Sequence, residues 1–202
     1  DGSLHIDMRG FDRILALDPA GKTITVQAGA RWRDIQERID PANLSVKIMQ
    51  TYSNFTVGGS LSVNVHGRYV GLGPLVMSVR RTQVVPADGR VVEATPTENV
   101  EIFYGAIGGY GGLGVITEAT LDLADNVRVK RQDVTMPVSE YRDWFVRSVR
   151  DSAAMIFHNA DIYPEEYEEL HAISYVRTDD PVTEPARLIP RDRTYALNRF
   201  AY

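Results

Sequence analysis

The 202-residue sequence contains no cysteine, which excludes disulfides, thiolate nucleophiles and sulfur-ligated metals. Its histidines (His5, His66, His158 and His171) are far apart and show no HxxxH or HxH spacing, so we expect no metal site. No apolar run approaches the roughly 20 residues of a membrane helix. The formal net charge of −5 argues against a nucleic-acid partner, because phosphate binding needs clustered Lys and Arg.

The composition is that of a soluble globular protein, with 44% hydrophobic and 24% charged residues. The length allows one large domain or a domain and a half. Asp1–Ser3 is typical of a turn, and the last residues, Tyr195–Tyr202, end without a helix cap, so we expect a fragment of a longer chain. These features slightly favour the cytoplasm and leave the oligomeric state open.

Alternating apolar and polar residues predict strands and hairpins in the first part of the chain, interrupted by short helices. The Asp88-Gly89 turn is typical of a hairpin. A helix that begins after a Thr97 cap should carry Phe103. This mixture predicts an α+β fold. The predicted segments are strands at Leu4–Met8, Ile14–Leu17, Thr23–Ala28, Thr82–Val85, Val91–Ala94 and Val115–Leu123, and a helix at Arg31–Ile39.

The composition changes near Asn126, because no glycine follows Gly114. Beyond that point the pattern predicts a strand at Val127–Met136, a helix at Val138–Asp151 and strands at Ile156–Ile162 and Ala172–Val176. We therefore predict one domain over residues 1–126 and the beginning of a second over residues 127–202.

Two glycine-rich segments are the candidates for chemistry. In Thr56–Ser60, successive backbone N–H groups could form an anion nest that needs no basic residue, and the alternative is a tight packing turn. Gly109–Gly114 matches GxGxxG but precedes a strand, so the Rossmann context fails. The sequence has no GxxxxGK[ST] phosphate loop either.

Taken together, these segments resemble the FAD-linked oxidase family. The residues that carry the resemblance are TVGGSLSVNVHG at 56–67, Asp88-Gly89, and FYGAIGGYGGLGVIT at 103–117. The family has a vanillyl-alcohol-oxidase-type (PCMH-type) FAD domain, and the similarity is greatest to aldonolactone oxidases, alditol oxidases and decaprenylphosphoryl-ribose oxidase. It covers about Leu4–Leu123.

The resemblance implies FAD as cofactor, held between two α+β subdomains, the first of them N-terminally incomplete here, and followed by part of an α+β cap domain. It also implies cofactor contacts along the pyrophosphate and ribityl region, beside the isoalloxazine, and at the adenine end. In that order, the implied residues are Thr56, Val57, Gly58 and Gly59; Val63, Asn64, Val65 and His66; and Val115 and Ile116.

The reaction implied by the resemblance is oxidation of an alcohol (CH–OH) by hydride transfer to flavin N5, with dioxygen or another electron acceptor. Sugar alcohols, aldonolactones and sugar-lipid alcohols are the nearest substrates by resemblance. A flavin-dependent reductase on the same fold and a non-catalytic protein with a decayed flavin site stay open as alternatives.

His66 is the one titratable residue within the first motif. It is either a neighbour of the flavin or a histidine that hydrogen-bonds the loop, and flavin contact is favoured over a role as the catalytic base. Family members carry an earlier glycine-rich phosphate loop, often ending in Gly-His-Ser, before the segment that corresponds to Asp1–Ser3. That loop commonly holds the histidine of covalent members, so covalency is undecided, and we expect this piece alone to bind FAD weakly or not at all.

Overall fold

The structure is a computed structural model that describes Gly2 and residues 5–188. The described residues form two compact units. The first unit contains the described parts of residues 1–67, 74–126 and 186–202, and the second contains residues 68–73 and 127–185. The segments Asp1–Ser3 and Tyr195–Tyr202, which the sequence predicts to be a turn and an uncapped end, fall wholly or mostly outside the described residues, as does Leu4.

The first unit is built on an antiparallel sheet whose long strand β6 pairs with three neighbours. The strand order is β1-β2-β6-β4-β5, and β3 pairs with the far end of β6. The strands are β1 (Ile14–Asp18), β2 (Thr23–Gln27), β3 (Leu44–Val46), β4 (Val79–Val85), β5 (Val92–Ala94) and β6 (Val115–Asp125).

Side-chain alternation explains which face of this sheet is buried. On β2, Ile24 and Val26 are almost fully buried, and on β6 Ala119, Leu121 and Leu123 are buried, because successive side chains of a strand point to opposite faces. Three helices accompany the sheet: α1 (Trp32–Ile39), α2 (Val57–Ser62) and α3 (Val100–Ala106).

The helix α1 follows from its sequence period. Trp32, Ile35 and Ile39 recur at helical spacing and are each at most 1% exposed. Pro41 lies in a short 3-10 turn directly after the helix, as expected for a residue that cannot continue a helix.

The second unit is a separate three-stranded antiparallel sheet of order β7-β9-β8. Met136, Leu170 and Ala172 form its buried core, with Trp144 partly buried against them. Its elements are β7 (Val129–Pro137), α4 (Val138–Phe145), a π-type turn (Val146–Arg150), β8 (Met155–Ile162) and β9 (Glu169–Arg177).

The mixed α+β class with antiparallel sheets is as expected, and several local expectations are wrong. Residues 5–8 are irregular rather than a strand. The first residue of α3 follows Asn99, not a cap at Thr97. The helix predicted to reach Asp151 leaves α geometry after Phe145. The short strand β3 was not expected, because three residues offer too little alternation to detect.

Candidate functional site

The first unit contains a cavity of about 420 Å³ where its two glycine-rich segments meet. This volume lies within the range of sites for small ligands and cofactors. The walls are mostly backbone, small side chains and apolar side chains. The lining residues are Ile6, Met8, Arg9, Ala28, Gly29, Thr56, Gly58, Gly59, Ser62, Ala106, Gly111, Gly114, Val115 and Ile116.

Helix α2 forms one wall, and its position depends on the absence of a side chain at Gly58. The Gly58 N–H donates to the Ala28 carbonyl at 2.7 Å. A Cβ at Gly58 would lie 2.9 Å from the Ala28 Cβ, closer than ordinary carbon contacts of about 3.5–4.0 Å. Glycine therefore lets α2 approach the connection between β2 and α1.

The anion nest expected from Thr56–Ser60 is not formed, since the backbone amides at the beginning of α2 already have acceptors. The Val57 N–H donates to the Ala30 carbonyl at 2.8 Å and the Ser60 N–H to the Thr56 carbonyl at 3.0 Å. The Gly59 N–H donates to the capping Thr56 Oγ1 at 3.3 Å. The segment is a capped helix, so its amides do not converge on a common anion.

A buried hydrogen bond ties α2 to α1. The Trp32 Nε1–H donates to Ser60 Oγ at 2.8 Å, and both residues are at most 2% exposed. Ser60 Oγ lies 2.9 Å from the Thr56 carbonyl and 3.0 Å from Gln50 Oε1, either of which can accept its proton. The indole N–H is thus satisfied, and the helix wall is anchored from inside the unit.

The second glycine-rich segment brings the first residues of β6 to the cavity. Gly114 has φ +141°, and a Cβ there would lie 2.4 Å from the Val85 carbonyl oxygen. Glycine permits both this backbone conformation and this close approach to β4. Val115 and Ile116 follow directly and line the cavity.

The irregular segment before β1 supplies the remaining wall. Phe11 N–H donates to the Met8 carbonyl at 3.0 Å, which closes a turn that contains Arg9. The Arg9 guanidinium holds the Asp7 carboxylate through Nε at 2.9 Å and Nη2 at 2.6 Å. These hydrogen bonds from Arg9 hold the pKa of Asp7 well below its usual range.

The cavity brings together only part of the site expected from the sequence. Val57, the first residue of α2, is fully buried and does not line the cavity. Asn64 Oδ1 accepts from the Val76 N–H at 3.0 Å, and His66 is exposed. The expected residues that line the cavity are Thr56, Gly58, Gly59, Val115 and Ile116, and those outside it are Val57, Val63, Asn64, Val65 and His66.

The lining residues that were not expected from the sequence differ in whether a sequence signal could have identified them. Gly111 and Gly114 belong to a segment whose glycine content was a usable signal. Arg9 had no sequence signal, because it lies far from both motifs in the chain, directly after the predicted strand Leu4–Met8. The other unexpected residues are Ile6, Met8, Ala28, Gly29, Ser62 and Ala106.

In the second unit, His158 is held between two hydroxyl groups. Its Nε2 lies 2.8 Å from Tyr141 Oη and its Nδ1 lies 3.0 Å from Ser174 Oγ. Burial lowers the pKa of His158 and raises that of Tyr141. The rings of Trp144 and Phe145 pack near the imidazole. His158 is therefore part of the internal packing of the second unit.

Within residues 5–188, no helix has the length and apolar character needed to cross a membrane. The same residues contain no cluster of three His, Asp or Glu side chains suited to a metal ion.

The walls of the cavity fit the expected flavin nucleotide. A Cβ at Gly111 would meet nothing within 4 Å, and one at Gly59 would meet only Thr56 Oγ1 at 3.2 Å, so a ligand can lie directly on the backbone at both positions. Met8, Val115 and Ile116 add apolar surface for a planar ring.

Comparison with known proteins agrees with a flavin-nucleotide site in the first unit. Residues 1–95 match the family described as FAD binding domain. The chain is 35% identical over 107 residues to an alditol oxidase of Streptomyces sp., covering 53% of this chain and 25% of that protein. It is 32% identical over 116 residues to L-gulonolactone oxidase of Mus musculus (57% and 26%). It is 29% identical over 124 residues to decaprenylphosphoryl-beta-D-ribose oxidase of Mycolicibacterium smegmatis (60% and 27%).

The chain spans about a quarter of the length of these curated relatives. The glycine-rich motifs, the cavity they line and the matched domain all point to the same assignment. Residues 1–95 are therefore an FAD binding domain, and the chain is a distant homologue of FAD-linked oxidases.

Proposed function

We propose that this chain is the FAD-binding part of an oxidoreductase that oxidises the CH–OH group of a polyol-like substrate. The observation that carries the proposal is that residues of two segments far apart in sequence line one cavity. These residues are Thr56, Gly58 and Gly59 from the first segment and Gly111, Gly114, Val115 and Ile116 from the second. The names of the relatives, which refer to an alditol, a gulonolactone and a decaprenylphosphoryl ribose, support an alcohol of the sugar class as substrate.

The roles proposed for the chain's own residues are to bind and orient the cofactor. Thr56–Gly59 contact its pyrophosphate and ribityl region, Val63–His66 lie beside the ribityl chain and flavin ring, and Val115 and Ile116 contact the adenine end. Residues 1–126 form the FAD-binding domain, and residues 127–202 begin a cap domain over the substrate.

When bound, FAD supplies the redox chemistry by accepting a hydride at N5 from the carbinol carbon, with dioxygen or another acceptor taking the electrons afterwards. The protein must then place a base that receives the hydroxyl proton. His66 is a candidate for this task because its side chain is exposed at the end of the first motif.

The test is the visible spectrum of the purified full-length protein before and after acid precipitation. We expect a flavin band, and colour in the precipitate would indicate covalent attachment. A sugar-alcohol and lactone panel should bleach the band under nitrogen and restore it with air or a quinone. Absence of flavin together with failure to take up added FAD would contradict the proposal, and bleaching by NADPH alone would instead support a reductase.

A further inference from the structure

Arg9 is the one charged residue among the described residues that line the cavity. The other lining side chains are hydrocarbon, thioether or hydroxyl, apart from glycines that have none. The proposed cofactor carries a diphosphate, and burying such an anion without a cation or strong hydrogen-bond donors is costly. A cation at the cavity wall would therefore add to whatever binding the family's upstream phosphate loop provides.

The beginning of α2 does not supply it with free amides. The N–H groups of Val57, Gly58, Gly59 and Ser60 all donate to acceptors within the first unit. Ser53–Gly67, which contains α2, has no Lys or Arg. The helix thus forms a wall of the cavity and contributes the Thr56 and Ser62 hydroxyl groups. The positively charged side chain at the cavity comes from the segment before β1.

The turn that carries Arg9 is fixed to the cavity wall. The Gly29 N–H donates to the Phe11 carbonyl at 2.8 Å. A Cβ at Gly29 would lie 2.2 Å from the Met8 carbonyl oxygen and 3.1 Å from that of Arg9. This backbone contact is possible only with glycine, and Gly29 itself lines the cavity. The position of the Arg9 backbone is thus set by the fold.

The Arg9 side chain keeps hydrogen-bonding capacity for a ligand. Its fork with Asp7 uses Nε and Nη2, and Nη1 donates no hydrogen bond among the described residues. A guanidinium has five N–H donors in a plane, so it can hold Asp7 along one edge and an anionic oxygen along another. The side chain is 77% exposed, and Arg9 already lines the cavity.

We propose that Arg9 is a cofactor-binding residue that pairs with the diphosphate of FAD in this cavity. The inference rests on the proposed function, and it replaces the backbone nest expected from Thr56–Ser60 by a side-chain cation from a segment outside both motifs. Arginine suits this task because its planar fork matches phosphate oxygens.

The experiment compares Arg9→Gln with Arg90→Gln in the full-length apo-protein, produced under riboflavin limitation so that covalent attachment cannot mask the affinity. Arg90 is a matched control because it pairs with Asp88 at 2.8 Å, also two residues away, is 67% exposed and does not line the cavity. Titration calorimetry with FAD, ADP and riboflavin gives the dissociation constants at low and raised salt.

We expect Arg9→Gln to weaken FAD and ADP binding by about 10-fold or more, the range for a hydrogen bond to a charged group. Its affinity should also depend less on salt than that of the wild type, because one charge contact is gone. Riboflavin binding should not change, Arg90→Gln should behave as wild type, and Arg9→Lys should restore part of the loss. Equal FAD affinity of wild type and Arg9→Gln would overturn the assignment of Arg9 alone, whereas a wild type that binds no FAD would overturn the proposed function with it.

Discussion

Replacing Gly58 by alanine tests whether α2 is seated on the β2–α1 connection as described. The new methyl group would lie 2.9 Å from the Ala28 Cβ and 3.0 Å from the Ala28 carbonyl oxygen. Ala28 cannot easily retreat, because it is 2% exposed and its N–H donates to the Thr117 carbonyl on β6 at 2.8 Å. We therefore expect α2 to shift outward.

The expected change in the free energy of unfolding of Gly58→Ala is the balance of two opposing effects. Overpacking a buried contact costs about 1–3 kcal/mol, and removing a helical glycine gains about 0.5–1 kcal/mol. The net expectation for Gly58→Ala is a loss of about 1–2 kcal/mol in the free energy of unfolding. For a chain of this length that is a fall of about 3–6 °C in Tm.

Gly59→Ala is the matched control from the same helix. Its methyl group meets only Thr56 Oγ1 at 3.2 Å, so the stability should stay within about 0.5 kcal/mol of the wild type. The same methyl group lies at the cavity wall, and we expect weaker FAD binding from a protein of near-native stability. Urea unfolding and FAD titration of both variants give the two readouts. A Gly58→Ala variant as stable as Gly59→Ala would refute the proposed packing of α2 on Ala28.

Further substitutions probe other contacts. Ser60→Ala should cost about 1–3 kcal/mol in urea unfolding because it leaves the buried Trp32 indole N–H without its acceptor; a cost near zero would contradict that hydrogen bond. Gly114→Ala should destabilise more than Gly89→Ala by about 1–3 kcal/mol, since the first position meets a carbonyl and the second only open space, and equal Tm values would contradict this. The pKa of His158 lies below its usual 6.5, so on acidification the unfolded state takes up a proton before the folded state does. The second unit should therefore lose stability as pH falls from about 7 toward 5, and His158→Gln should have a flatter Tm-against-pH curve; an identical curve would be evidence against this role.

The strands could be predicted where one face of a sheet is buried along several residues. Thr23–Gln27 and Val115–Asp125 alternate because β2 and the much longer β6 lie side by side, each with one face covered. The helix α1 was predictable for the same reason at a period of 3.6. In these elements the local pattern and the tertiary environment favour the same structure.

Helix α2 could not be predicted from local preference, because two adjacent glycines disfavour a helix. What stabilises it is tertiary: the Gly58 N–H bond to Ala28, the Thr56 cap and the buried link from Ser60 to Trp32. Two of these partners, Ala28 and Trp32, lie far outside a sequence window around the motif. Thr56, Gly58 and Gly59 of this segment line the cavity, while the nest geometry expected for it is wrong.

The position of Arg9 was invisible for a related reason, and it changes how charge is distributed in the site. A motif-centred interpretation assigns anion binding to the glycine-rich segment because glycine exposes backbone amides. The amides of α2 already donate hydrogen bonds within the unit. Gly58 therefore allows close packing against Ala28, and Gly59 leaves space at the cavity wall, but neither amide is available to an anion. Among the described residues, the one charged side chain at the cavity is Arg9, and Gly29 lets the turn that carries it lie against the same wall. The motif therefore marks where the cavity is, and the residue that gives it positive charge lies outside the motif.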